Sequence, residues 1–160
     1  MKFFYTSINK FMWKHSFIKS CVHFASKFCP YIVAIFYSLF LLKIFLNKSG
    51  NMLVLTSEPI AVLIVTVILR IIIDRKRPSE KYDLIPIDGS RKKGRSFPSI
   101  HVALSVSIAL AILHYGPNMG LLLSTLAGTI TIVRLLSGVH YITDVAASII
   151  IAFVINMIWL

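Results

Sequence analysis

The sequence predicts an all-α, polytopic transmembrane helical bundle of about five spans, preceded by an N-terminal amphipathic interfacial helix. Three observations predict it. Of the 160 residues 57% are apolar and only 14% charged, and the mean hydropathy is +0.81, which is too oily for an ordinary soluble domain. The apolar residues run in blocks close to the ~20 residues a helix needs to cross about 30 Å of hydrocarbon. Polar or Gly/Pro breaks separate these blocks, and the charged residues gather in or beside them at a few places only. The expected organisation is one membrane domain over residues 1–160, with 1–30 as an interfacial segment and 31–160 as a transmembrane core.

The N-terminal segment has no uninterrupted apolar region and no A-x-A-like cleavage site, so it does not read as a signal peptide. From Phe11 to Phe28, the residues Phe11, Met12, Phe17, Ile18, Val22 and Phe24 alternate irregularly with Lys14, His15, Lys19, His23 and Lys27. That pattern suits a helix lying in the headgroup layer, or equally one packed on its own bundle. The first span is expected from about Tyr31 to Leu46, opened by Pro30, with Lys43 placed to snorkel. The second, from about Met52 to Ile73, contains Glu58, Pro59 and Arg70.

A polar connection then runs from Asp74 to Phe97 and holds eight of the seventeen basic and four of the six acidic residues. It is the only long loop expected, and long loops carry binding work. The third span is expected from about Ser99 to Tyr115, ended by Gly116-Pro117-Asn118. The fourth is placed from about Met119 to Leu136 and the fifth from about Thr143 to Leu160. Cys21 and Cys29 lack the paired CxxC spacing of a zinc site and read as free thiols.

A formal charge of +11 fits nucleic acid, an anionic lipid surface or an anionic substrate. Its distribution decides among them. The basic residues fall at span ends, in the long loop and in the N-terminal segment, with no soluble nucleic-acid motif. The expected partners are therefore membrane lipids and an anionic substrate, and no nucleic acid.

Charged groups in or beside spans are costly and are functional suspects by default. Here they form three groups: Arg70 with Arg77-Pro78, then Pro98-Ser99-Ile100-His101, and then Arg134 with His140 and Asp144. The second and fourth spans end, and the third and fifth begin, on one side of the membrane, so all three groups share a face. Three guanidinium groups, Arg70, Arg77 and Arg134, suit the oxygens of a phosphate and the charge of an in-line transfer. Ser99 adds a hydroxyl at a helix start, where free N–H groups favour an anion.

His140 and Asp144 are spaced i, i+4. On a helix the carboxylate would hold one ring nitrogen protonated and leave the other to attack phosphorus. His101 is then the candidate general acid. Against this, an isolated Arg75 or Lys76 at a span end reads as a snorkelling anchor, and His15, His23 and His114 read as packing residues.

These residues resemble the type 2 phosphatidic acid phosphatase superfamily. The first part of its signature, Lys, six residues, Arg-Pro, is met by Arg70 to Arg77-Pro78. Its second, Pro-Ser-x-His, is Pro98-Ser99-Ile100-His101. Its third, Ser-Arg, five residues, His, three residues, Asp, is met by Arg134, His140 and Asp144. Arg70 replaces the usual Lys, which keeps the charge on a wider planar donor, and Val133 stands where the family often has Ser. The resemblance implies a helical bundle, a phosphohistidine intermediate at His140, acid catalysis from His101, phosphate binding by Arg70, Arg77, Ser99 and Arg134, and no metal or other cofactor.

It further implies hydrolysis of a lipid phosphate or diphosphate in a bacterial cell membrane. The compact form resembles small undecaprenyl-diphosphatases, with phosphatidylglycerol phosphate and phosphatidic acid as alternatives. Family resemblance puts the site on the extracytoplasmic face, whereas five lysines in the N-terminal segment favour the cytoplasm by the positive-inside rule. The outer face is preferred here, because basic residues kept for substrate would miscount as a topology signal. A catalytically silent lipid-binding or transport protein on the same scaffold is the alternative from another class, motivated by Arg70 and Val133. A membrane anchor recruiting a partner through the basic loop Arg91 to Arg95 is a third.

Overall fold

Long apolar blocks cannot leave backbone N–H and C=O groups unpaired in lipid, so they fold as helices. The computed structural model describes residues 2–48, 50–90 and 93–159. Among these described residues seven helices follow in order: α1 (Lys2–Lys14), α2 (Ser16–Asn47), α3 (Met52–Ile73), α4 (Pro78–Tyr82), α5 (Ile100–Leu113), α6 (Pro117–Leu136) and α7 (Ile142–Trp159). Asn51 starts α3 by accepting from the backbone N–H groups of Leu53 and Val54, the usual N-cap geometry. Pro78 and Pro117 open α4 and α6, where a missing N–H costs nothing.

Among the described residues, four helices, α2, α3, α6 and α7, are long and apolar enough to cross a membrane. Their outer faces expose Ile35, Leu39, Phe45, Ile64, Ile68, Ile72, Leu121, Ile132, Ile150 and Phe153. A continuous apolar surface of that extent belongs against lipid rather than water. The fifth expected span, α5, is a helix of 14 residues, about 21 Å at 1.5 Å per residue. It packs against α3, α6 and α7 and buries Val102, Ala103, Ser105, Ser107, Ala109, Ala111 and Ile112. Small residues let the surrounding helices close in, and a helix covered by protein need not match the bilayer thickness. Gly120 permits a close approach of α6 to the end of α5: a Cβ there would lie 2.5 Å from the Cα of Leu113.

The expected start of the first span at Pro30 is not where the helix begins. The chain breaks at His15, and α2 runs unbroken from Ser16 through Pro30 to Asn47. Proline withholds one N–H from the carbonyl four residues back, which here is that of Ser26. That oxygen accepts instead from Arg134 Nη2 at 3.3 Å. Pro59, inside α3, frees the carbonyl of Leu55 in the same way, and Tyr37 Oη donates to it at 2.7 Å. Both prolines are tolerated because a side chain from another helix supplies the missing donor.

The interfacial segment combines the two readings open to it. In α1, Tyr5 and Met12 are buried while Phe3 and Phe11 are exposed. Asn9 Nδ2 and Trp13 Nε1 both donate to the carbonyl of Ile85, at 2.8 and 3.3 Å. Helix α1 thus straps the 83–90 part of the long loop, with an apolar face left for lipid. His23, expected as a packing residue, has Nδ1 2.9 Å from the carbonyl of Ile87. Cys21 and Cys29 are free. In the basic loop, Arg91 and Lys92 lie outside the described residues.

Candidate active site

Alternation of the spans carries the end of α3, the start of α5, the end of α6 and the start of α7 to one end of the bundle. There a cavity of about 660 Å³ is lined by Arg70, Arg77, Arg134, His101 and His140, with Asp88, Lys27 and Tyr31 among its other walls. Five of the expected site residues therefore face one space. The other two stand behind it: Ser99 and Asp144 are fully buried and do not line the cavity.

The guanidinium groups are held by one or two rather long bonds each. Arg70 Nη1 donates to the carbonyl of Pro98 at 3.5 Å, and Arg77 Nε to that of Gly94 at 3.2 Å. Arg134 uses Nη1 on Asp88, at 3.4 Å, and Nη2 on Ser26, while its buried Nε has no partner. A guanidinium carries five N–H donors. Each arginine is thus fixed in place with donors left for an anion.

His140 precedes α7 instead of lying on it, so the i, i+4 geometry of a helix does not apply. Its Nδ1 is 2.7 Å from the carbonyl oxygen of Ser96 and 3.7 Å from Asp144 Oδ2. The hydrogen bond goes to Ser96. A carbonyl only accepts, so Nδ1 carries the proton and Nε2 keeps its lone pair. Burial, aided by the charges of Arg77 and Arg70, holds the His140 imidazole below its usual value despite the opposing pull of Asp144, which keeps the ring neutral.

Asp144 acts one bond further out. Its Oδ2 accepts from Ser96 Oγ and from the backbone N–H of Tyr141, and its Oδ1 from Arg75 Nη1 at 2.7 Å. The Tyr141 bond is half of a capping box at the start of α7, so one carboxylate sets the helix start, the Ser96 loop and the field at His140. Ser99 joins the same frame: its N–H donates to Ser148 Oγ, which in turn donates to the carbonyl of Asp144, both at 2.7 Å. The Oγ of Ser99 is buried without a partner.

Arg75 is no snorkelling anchor. Besides Asp144 it donates to Thr143 Oγ1 at 2.7 Å, and its guanidinium lies 4.0 Å over the ring of Tyr141. Ser96 and Asp88 also escaped sequence reasoning. Opposite charge on Arg75 and Asp144 was the available signal, and 69 residues of separation hid it. The contribution of Ser96 to His140 is a main-chain carbonyl, which no residue type announces.

Among the described residues, no three His, Cys, Asp or Glu side chains come together in a group that would hold a metal ion. The arrangement is a buried neutral imidazole with a free Nε2, facing three oriented guanidinium groups, with a second, exposed imidazole on the same cavity. It suits nucleophilic attack on a phosphoryl group whose oxygens the arginines hold.

Comparison with known proteins bears on the whole chain. The family model described as the PAP2 superfamily matches residues 50–160. Among solved structures, the crystal structure of Aquifex aeolicus LpxE superposes with a TM-score of 0.77 at 20% identity, covering 98% of this chain and 92% of that one. The crystal structure of the first transmembrane PAP2 type phosphatidylglycerolphosphate phosphatase from Bacillus subtilis gives a TM-score of 0.59 at 17% identity, over 98% and 90% of the two chains. At such identities these two likenesses speak for the fold. No curated protein matches the chain in sequence.

Proposed function

The chain belongs to the PAP2 superfamily of membrane phosphatases, and from that premise we propose that it removes the terminal phosphate of a lipid phosphate or diphosphate through a phosphohistidine at His140. The observation that carries this reading is the convergence of His140, His101, Arg70, Arg77 and Arg134 on one cavity at one end of a membrane bundle. His140 Nε2 attacks phosphorus in line with the leaving oxygen. Nδ1 keeps its proton, donated to the Ser96 carbonyl, and Asp144 stabilises the positive charge that the ring gains. Arg70, Arg77 and Arg134 hold the non-bridging oxygens as charge builds on them, with the unpartnered Nε of Arg134 turned to the same use.

The P–O bond to the lipid breaks, and His101 supplies a proton to the departing oxygen. Water then attacks the phosphohistidine with His101 as base, and inorganic phosphate leaves. No metal ion enters these steps. Undecaprenyl diphosphate is the leading substrate, and the site sits at the extracytoplasmic face of a bacterial cell membrane, in the service of cell-wall building. The apolar outer surface lets such a lipid reach the cavity from the bilayer.

The test is phosphate release by the purified protein in detergent from undecaprenyl diphosphate, phosphatidylglycerol phosphate and phosphatidic acid. Release fastest from undecaprenyl diphosphate, undiminished by EDTA, is expected. Inactivity on all three would sink the enzyme reading and leave the silent lipid-binding scaffold.

A further inference from the structure

A second cavity, of about 770 Å³, adjoins the first and shares Arg70, Arg77 and Ile100 with it as a common wall. Its remaining walls are Asp74, Lys76, Glu80, Lys93, Gly94 and Arg95. Five cationic side chains therefore face two carboxylates, and both carboxylates are engaged with main chain. Asp74 Oδ1 accepts from the N–H of Arg95 at 3.0 Å, and Glu80 Oε2 accepts from the N–H of Gly94 at 2.9 Å. Among the described residues, no side chain forms an ion pair with Lys76, Lys93 or Arg95.

The loop that carries Lys93 and Arg95 is held against its own preference. Arg95 has φ +50° and Gly94 φ +61°. A left-handed conformation is unfavourable for a residue with a side chain and persists where surrounding bonds enforce it. Asp74 and Glu80 enforce it, and a third bond, from Arg77 Nε to the carbonyl of Gly94, ties the loop to an arginine of the catalytic cavity. The two carboxylates keep their charge while they shape the loop, and five cationic side chains against two acidic ones still leave the wall with a positive excess.

We propose that this cavity is a second anion subsite, taking a phosphate-class group next to the one undergoing attack. Two sources supply that chemistry: a second anionic group on the substrate, or the inorganic phosphate released by turnover on its way out. The proposal rests on the phosphatase reading and deepens it. Lys93 and Arg95 are its residues, since they touch this cavity and not the catalytic one.

The experiment uses the full chain in detergent, the double variant Lys93→Gln/Arg95→Gln, and the control Lys81→Gln, which changes a charge on α4 away from both cavities. One arm compares KM for undecaprenyl diphosphate with KM for phosphatidic acid. The other measures inhibition of phosphatidic acid hydrolysis by added inorganic phosphate. A rise of about tenfold in KM for the diphosphate alone, the loss of roughly one charged contact, assigns the subsite to the substrate. A comparable weakening of inhibition by inorganic phosphate assigns it to the product. No change in either arm overturns the proposal, as does an equal effect of Lys81→Gln, which would mark a diffuse surface potential. Calorimetric titration with inorganic phosphate reads the cavity without turnover. Weaker binding in the double variant of a protein inactive on every lipid would retain the subsite while the phosphatase reading fell.

Discussion

Arg75 closes a 2.7 Å ion pair with Asp144, nearer than the 3.7 Å that separates Asp144 from the His140 ring. The carboxylate that the i, i+4 spacing assigns to the histidine is therefore oriented from the other side, by an arginine outside the spaced motif. Arg75 touches neither cavity wall and acts through Asp144, as a positioning residue.

Removing it should show that role. A hydrogen bond between charged partners is worth about 1.5–3 kcal/mol, so if it is expressed in the transition state, Arg75→Gln should lower kcat roughly ten- to hundred-fold. KM should change little, and Arg75→Lys should recover part of the loss. Steady-state kinetics of the two variants check this. A rise in KM with kcat intact would instead make Arg75 a substrate contact.

His140 should be neutral at pH 7 and protonated on Nδ1 only. Burial lowers its proton affinity, so half-protonation should fall below the ordinary imidazole value of ~6.5. The same shift sets a stability slope. The unfolded chain, binding a proton first, gains on the folded one as pH drops below ~6.5, and stability is fully present above that value. Nitrogen-15 shifts of labelled histidine, assigned with a His140→Gln variant, report the state directly. An imidazolium at pH 7, or a proton on Nε2, would remove the proposed nucleophile.

Arg70, Arg77, His101, Arg134 and His140 stand out in sequence for two reasons, and the three spaced motifs they share with the family are the first. The second is that charge is expensive in an apolar chain, and alternation of spans puts their segments at one end. What sequence could not show was how local rules are settled by distant partners. Pro30 looks like a helix start, because the donor that replaces its missing N–H belongs to Arg134, 108 residues from Ser26. Helix α5 is shorter than the span expected over it because composition records its apolarity but not that α3, α6 and α7 pack against it. The i, i+4 pair of His140 and Asp144 fails as helix geometry because α7 begins at Ile142, after the histidine.

The donor that replaces a proline N–H can be removed away from the site. Tyr37→Phe leaves the carbonyl of Leu55, a residue buried to 0% exposure, without the Tyr37 hydroxyl. Interhelical hydrogen bonds within membranes contribute about 0.6 kcal/mol on average and about 1.7 at most, so a loss in that range is expected. Activity per folded molecule should be unchanged, since neither residue lines the catalytic cavity. Denaturant unfolding in mixed micelles checks the first part, and kcat the second. A fall in kcat without loss of stability would mean that α3 transmits its end geometry to Arg70.

The two histidines should fail in different ways. His140→Ala removes what is, among the described residues, the one imidazole with a buried, oriented ring and an available Nε2, so both turnover and covalent phosphate on the protein should vanish. His101→Ala leaves the nucleophile in place and withdraws a proton donor, which typically costs about 100- to 10,000-fold. That cost depends on the leaving group. A lipid alkoxide needs the proton, whereas a diphosphate departs as a phosphate monoester that needs it less. The ratio of wild-type to His101→Ala rates should therefore be larger for phosphatidic acid than for undecaprenyl diphosphate. In the variant, the hydrolysis of the phosphoenzyme, which requires His101 as base, should become the slower step with the diphosphate. Acid-labile, base-stable phosphate should then accumulate on His101→Ala protein fed labelled diphosphate and be missing from His140→Ala protein. Equal rate losses on both lipids would deny His101 the role of acid, and label retained after His140→Ala would place the nucleophile elsewhere.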